Sequence, residues 1–118
     1  MTNKVKKGKE GEEIACNYLL ERGYKILEKN YHYGHGEIDI IAKDRDTLVF
    51  VEVKYRKSLE YGMPEDSITK KKQSQIRKTA EAYLYENKIE NQSCRIDVIS
   101  ILHLQNEKPV INHYMDVF

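Results

Sequence analysis

At 118 residues and a formal net charge of +1, the chain is sized for one domain with a single core and leaves no room for a second. Charged residues make up 33% of it but nearly balance, so net charge says nothing global about partners and any nucleic-acid signal must rest on where the cations sit. Cys16 and Cys94 have neither CxxC nor metal spacing, which argues against a disulfide scaffold and for free thiols in a reducing cytosol. No apolar run reaches the roughly 18–20 residues of a membrane span, and the polar, basic start lacks a signal-peptide core, so the expected location is cytoplasmic.

Residues 1–8 read as a basic, flexible N-terminus, and 9–118 as one domain. A helix is expected from near Lys9 to about Arg22, with Gly23 as its stop. Ala15, Cys16 and Leu19 share its apolar side, and Glu12 falls on that same side, whereas Glu13, Asn17 and Glu21 form a polar face. A carboxylate aimed inward needs a partner or a cation, which singles out Glu12. Tyr24 to Tyr31 reads as a strand, followed by a turn around Gly34, His35 and Gly36. Strands are expected at 37–43 and 47–54, then a long loop holding Gly62 and Pro64. A second helix spans about Thr69 to Asn87, with Thr69 as N-cap and Ile76, Ala80, Tyr83 and Leu84 as its apolar stripe. One turn back along that stripe lie Lys72 and Gln73. Arg95 to Leu104 and Val110 to Phe118 read as closing strands around a turn at Asn106–Pro109. The order α-β-β-β-α-β-β implies an α/β domain whose central mixed sheet is flanked by helices, with a right-handed crossover.

The stretch from Gly36 to Lys54 carries the chemistry. A turn at Arg45-Asp46 pairs Lys43 with Leu48 and Ile41 with Phe50, and the same count sets Asp39 opposite Glu52 and Glu37 opposite Lys54. Those residues share one face, while Ile38, Ile40, Ala42, Val49, Val51 and Val53 form an apolar second face. A one-residue slip would spoil both faces, so the pattern selects the register. Opposed Cβ atoms lie about 4.5–5.5 Å apart. Two carboxylates at that range repel unless a cation, a proton or an ammonium relieves them. A solvated sheet end would account for Glu37 and Lys54 as a cross-strand ion pair, but not for Asp39 facing Glu52.

Two carboxylates and an ammonium on one face suit metal-assisted phosphodiester hydrolysis. Oxygen donors favour Mg²⁺ or Mn²⁺ over zinc. In that reading Asp39 and Glu52 bind the metal with the main-chain carbonyl of Val53. Lys54 orients or helps deprotonate the attacking water and neutralises the transition-state phosphate. Glu12 contributes through a metal-bound water or a second metal, and His35 is a weaker candidate.

Asp39 followed by Glu52-Val53-Lys54 resembles the Asp…(Asp/Glu)-x-Lys signature of restriction-endonuclease-like nucleases. The longer string is more specific. Gly8-x-x-Gly11-Glu12-x-x-Ala15, Tyr18-Leu19, Gly23-Tyr24, Asn30, Gly36-Glu37-Ile38-Asp39, Phe50-Val51-Glu52-Val53-Lys54-x-Arg56, Lys72, Ala80, Tyr83-Leu84 and Arg95-x-Asp97 closely resembles the YraN-like family of small bacterial proteins, over nearly the whole chain. The resemblance implies a restriction-endonuclease-like fold akin to archaeal Holliday junction resolvases. It matches Glu12 to the first-helix glutamate of a resolvase-type site, Asp39 to the metal-binding aspartate, and Glu52 and Lys54 to the Glu-x-Lys pair. Gly36-Glu37-Ile38 stands where many relatives of the wider superfamily have a proline before the aspartate. Resolvases of this kind commonly work as dimers, so the resemblance also allows a homodimer.

Basic residues cluster at Lys4, Lys6, Lys7 and Lys9, at Arg56 and Lys57, and at Lys70, Lys71, Lys72, Arg77 and Lys78. Three lysines at a helix start oppose its dipole, so they are not placed for helix stability; they are well placed to meet phosphate, and for Lys70 and Lys71 a solvated charged surface is the equal alternative. Lys72, Arg56, Lys70, Lys71 and Lys9 are the expected nucleic-acid contacts, and Lys72 is the one whose helix face turns toward the site. The reading is a Mg²⁺- or Mn²⁺-dependent endonuclease acting on structured or branched DNA. The alternative is a nucleic-acid-binding module or assembly subunit that keeps the nuclease fold and cuts nothing.

Overall fold

A computed structural model describes residues 2–60 and 62–117, with side chains from Gly8 onward except at residue 61. The elements are α1 (Thr2–Glu21), β1 (Lys25–Tyr33), β2 (Gly36–Asp44), β3 (Thr47–Arg56), a 3-10 turn (Pro64–Ser67), α2 (Lys70–Glu86), β4 (Cys94–Leu102) and β5 (Val110–Tyr114). Helix α1 starts earlier than the expected Lys9. The side chains of Lys4, Lys6 and Lys7, and the expected strand end at Phe118, lie outside the described residues. The last strand ends at Tyr114. No helix among the described residues is long and apolar enough to cross a membrane.

The strands form one mixed sheet in the order β1-β2-β3-β4-β5. The first three pair antiparallel because two-residue turns link them, while β3 and β4 are parallel because α2 lies between them. Each helix stacks its apolar stripe on one face. Ala15, Cys16 and Leu19 of α1 pack with Ile40, Ala42, Val49 and Val51 on one side. Ile76, Ala80 and Tyr83 of α2 pack with Ile41, Leu48 and Phe50 on the other. Thr69 caps α2, its Oγ1 accepting the Lys72 N–H at 3.2 Å. Gly23, at φ 86°, ends α1, and the Tyr24 N–H donates back to the Leu19 carbonyl at 3.1 Å.

The β2–β3 ladder has the expected register at Lys43–Leu48 and Ile41–Phe50, but it stops at Ile40–Val51. The expected pairings of Asp39 with Glu52 and of Glu37 with Lys54 are therefore not ladder pairs. Ile38 also departs from its expected face, packing on the α2 side with Tyr31 and Ile41 rather than beside Ile40. The cause is a break in both neighbouring ladders at one level. The β1–β2 ladder passes from Lys29–Ile40 to Tyr31–Ile38 and leaves Asn30 and Asp39 unpaired. Asn30 has a left-handed backbone, φ 55°. Across this kink the strands exchange faces.

Two further contacts fix the helices. Asp97 is fully buried and accepts from His113 Nε2 at 2.7 Å, the Asp116 N–H at 2.9 Å and Arg95 Nε at 3.1 Å. His113 Nδ1 in turn meets the Tyr18 hydroxyl of α1 at 3.2 Å. Burial pushes the Asp97 carboxyl up, but those donors outweigh it and hold it below the usual carboxylate range. The Arg95-x-Asp97 pair thus has a structural role, clasping α1 to β4. On the opposite face Gly36 lies against α2. A Cβ at Gly36 would overlap Oγ1 of Thr79, which is 2% exposed and donates to the Gln75 carbonyl at 2.8 Å. Gly36→Ala is expected to cost about 1–3 kcal/mol in urea unfolding. Adding Thr79→Ala to it should recover part of that loss.

Candidate functional site

Where β2 and β3 part, a side chain takes over from the backbone. Asp39 Oδ2 accepts the Val53 N–H at 2.7 Å. This draws the Asp39 carboxyl across the gap toward Glu52, with which it shares a hydrogen bond. Lys54 Nζ lies 3.7 Å from Glu52 Oε2, and both side chains are only 12% exposed. Lys72, one turn before the α2 stripe, brings its ammonium to Lys54. Glu12 of α1 stands near Asp39 and Asn30, the three lining one cavity. Glu12, Asp39, Glu52, Lys54 and Lys72 are thus brought together by two helices and two strands.

The charges strain one another. Burial, then the hydrogen bond and charge of Glu52, push the Asp39 carboxyl up to about 8, against the lowering by the Val53 N–H and Lys54. Burial, then the neighbouring Lys72, lower the Lys54 ammonium from its ordinary range, although Glu52 and Asp39 act the other way. Burial and the charge of Asp39 raise Glu12, and Asn30 opposes them. These displaced values cluster at one sheet end.

Three cavities meet here. One of about 620 Å³ opens on the α1 side and is lined by Lys9, Glu12, Lys29, Asn30, Glu37 and Asp39, among others. A second, of about 290 Å³, holds Glu12, Asp39, Lys54, Tyr55 and Arg56. A third, of about 170 Å³, opens toward α2 and is lined by His35, Glu37, Glu52, Lys72 and Gln75. The acidic pair therefore sits between openings on both sides of the sheet.

The remaining expected residues divide. Arg56 lines the second cavity, and its buried Nε has no hydrogen-bond partner among the described residues. Lys9 lines the first, and His35 is exposed at the third. Lys70 and Lys71 are exposed on the first turn of α2 and line none of the three. Glu37 pairs with His32 at 3.7 Å instead of with Lys54. The Tyr55 hydroxyl donates to Glu10 Oε2 at 3.0 Å and meets His103 Nδ1 at 3.2 Å. Asn30 and the Val53 N–H were not singled out by residue type. The left-handed preference of asparagine inside a strand was the available signal for the first; a main-chain donor leaves none.

A metal fits this donor set. Among the described residues no three His, Cys, Asp or Glu side chains form a group that could hold an ion alone. Mg²⁺ commonly takes one or two carboxylates and keeps several waters. Asp39 and Glu52, each pressing on the other, are such a pair, and a cation between them removes the repulsion that raises Asp39.

The chain matches the model of an uncharacterised protein family, UPF0102, over residues 11–101. It is 47% identical to a UPF0102 protein of Clostridioides difficile over 98% of this chain and 99% of that one. A UPF0102 protein of Persephonella marina is 50% identical over 82% of this chain and 84% of its own length. One from Cytophaga hutchinsonii is 47% identical over 96% of each.

In the folded protein Asp39 keeps a proton that the unfolded chain releases between its ordinary 3.8 and about 8. Its contribution is full below that window and is lost as pH rises through it. Asp39→Asn keeps an acceptor for the Val53 N–H and removes the charge. In metal-free buffer above pH 8 it should melt higher than wild type, by on the order of 1–2 kcal/mol, and the advantage should vanish in acid. Differential scanning calorimetry across pH reads both.

Proposed function

The chain belongs to the uncharacterised protein family UPF0102, and on the geometry of its site we propose that it is a metal-dependent endonuclease of restriction-endonuclease-like fold, hydrolysing phosphodiester bonds of structured or branched DNA. The observation that carries this reading is the convergence of Asp39, Glu52 and Lys54 at the parted ends of two strands, with the Asp39 carboxyl raised by burial and then by Glu52.

Asp39 and Glu52 would hold Mg²⁺ or Mn²⁺. When bound, such an ion supplies positive charge for the phosphoryl oxygens and makes water more acidic. Lys54, whose ammonium pKa is lowered by burial and Lys72, would orient the attacking water, and only in its neutral amine form would Nζ take the water's proton. Lys72 places a second cation at the mouth of the α2-side cavity, where it meets a phosphate. The unpartnered Nε of Arg56 offers a donor from the adjoining cavity. Lys9, Lys70 and Lys71 extend the cationic surface for flanking phosphates, and Glu12 completes the acidic side. The protein acts in the cytoplasm, and on a two-fold substrate a homodimer would present two such sites.

With Mn²⁺, the purified protein should nick or cleave at least one substrate in a panel of duplex, single-stranded, flap and four-way DNA, with RNA alongside. Glu52→Gln should lower the rate at least about 100-fold while leaving binding intact. Binding that persists with no cleavage under any divalent metal would instead favour the non-cutting module. Lys72→Ala should weaken DNA binding and make its dependence on log salt shallower by about one unit.

A further inference from the structure

Asn30 lies where the β1–β2 ladder is interrupted, at the level where the β2–β3 ladder stops. Its backbone sits at φ 55°, a region that favours glycine and that asparagine tolerates better than most side-chain-bearing residues. The ladder pairs on either side, Lys29–Ile40 and Tyr31–Ile38, leave Asn30 opposite Asp39 with no ladder pairing between them. The kink leaves the Asp39 side chain able to reach the Val53 N–H across the sheet. The side chain of Asn30 is close enough to the Glu12 carboxylate of α1 to oppose the rise of its pKa. Asn30, Glu12 and Asp39 all line the cavity of about 620 Å³.

We infer that Asn30 is the positioning residue of this site, its left-handed backbone freeing Asp39 from the β1 ladder and its side chain fixing the Glu12 carboxylate beside Asp39, so that the two carboxylates face one divalent cation region from different elements. The inference rests on the metal reading above but makes a separate demand on the fold. Without Asn30, Glu12 is one glutamate on a helix, held to no fixed direction. Holding that half-buried carboxylate in one direction costs it rotamer freedom and makes it part of a preorganised donor set. Asn30 touches neither substrate nor metal in this account; it acts through Glu12 and Asp39.

Asn30→Gly separates the two roles, because glycine accepts the left-handed backbone and lacks the amide. The variant should fold and melt close to wild type. Its metal-free crystal structure should show the Glu12 carboxylate released from its place beside Asp39. Calorimetric titration with Mn²⁺ should show affinity reduced about tenfold or more. In a Glu12→Gln background the same change should have no further effect on Mn²⁺ affinity. Two results overturn the inference: Glu12 unmoved in the metal-free Asn30→Gly crystal, or equal losses of Mn²⁺ affinity from Asn30→Gly with and without Glu12. A wild-type protein that takes up no Mn²⁺ would end the metal reading alone, since the position of Glu12 in the variant still decides the role of Asn30.

Discussion

A single hydrogen bond from the Val53 N–H to Asp39 Oδ2 organises the end of the sheet. A strand that leaves its neighbour exposes main-chain donors that need partners. Here the donor is met by a side chain, so the separation of β2 from β3 after Ile40–Val51 leaves no orphan at Val53 and opens a gap beside the acidic pair. The same bond fixes one Asp39 oxygen and leaves the other facing Glu52. Had the ladder continued, Asp39 and Glu52 would be an ordinary opposed pair on one face. Because it stops, they stand between openings on both sides of the sheet.

The rest of the molecule holds that gap in shape. From one face, α1 is tied to the sheet through the Tyr18–His113–Asp97 chain and through the close contact of Gly11, where an added Cβ would lie 2.8 Å from the Tyr55 Cβ. From the other, the fit of Gly36 against Thr79 sets α2 so that Lys72 reaches Lys54. The loop between β3 and α2 is pinned as well, with Glu65 accepting from Ser100 Oγ at 2.6 Å and from the Tyr114 hydroxyl at 2.9 Å. Crowding carboxylates and ammoniums at such a place opposes stability, and the well-packed clusters on the two faces offset it.

Much of this was legible in the sequence. Alternation through Ile40, Ala42, Val49 and Val51 set the register of the central hairpin, and the Ile76, Ala80, Tyr83 stripe set the inner face of α2. Glu12 and Lys72 could be placed because helical spacing carries direction. The kink could not be read, because strict alternation carries Ile38 to the wrong face and a left-handed Asn30 changes the count without changing the number of residues. The Asp39–Val53 bond was hidden for another reason: its donor is main chain and has no residue type. Arg95 and Asp97 were visible as a motif, but only burial and the contacts with His113 and Asp116 reveal a clasp rather than a site.

The central claim is that the parted strand ends hold a divalent cation between Asp39 and Glu52. A crystal of the wild-type protein soaked with Mn²⁺ and measured at the manganese absorption edge tests it most directly. The expected result is an anomalous peak in direct contact with carboxylate oxygens of both Asp39 and Glu52, with the Val53 N–H still donating to Asp39. Density without such a peak, and with Asp39 still hydrogen-bonded to Glu52 at saturating Mn²⁺, would contradict it.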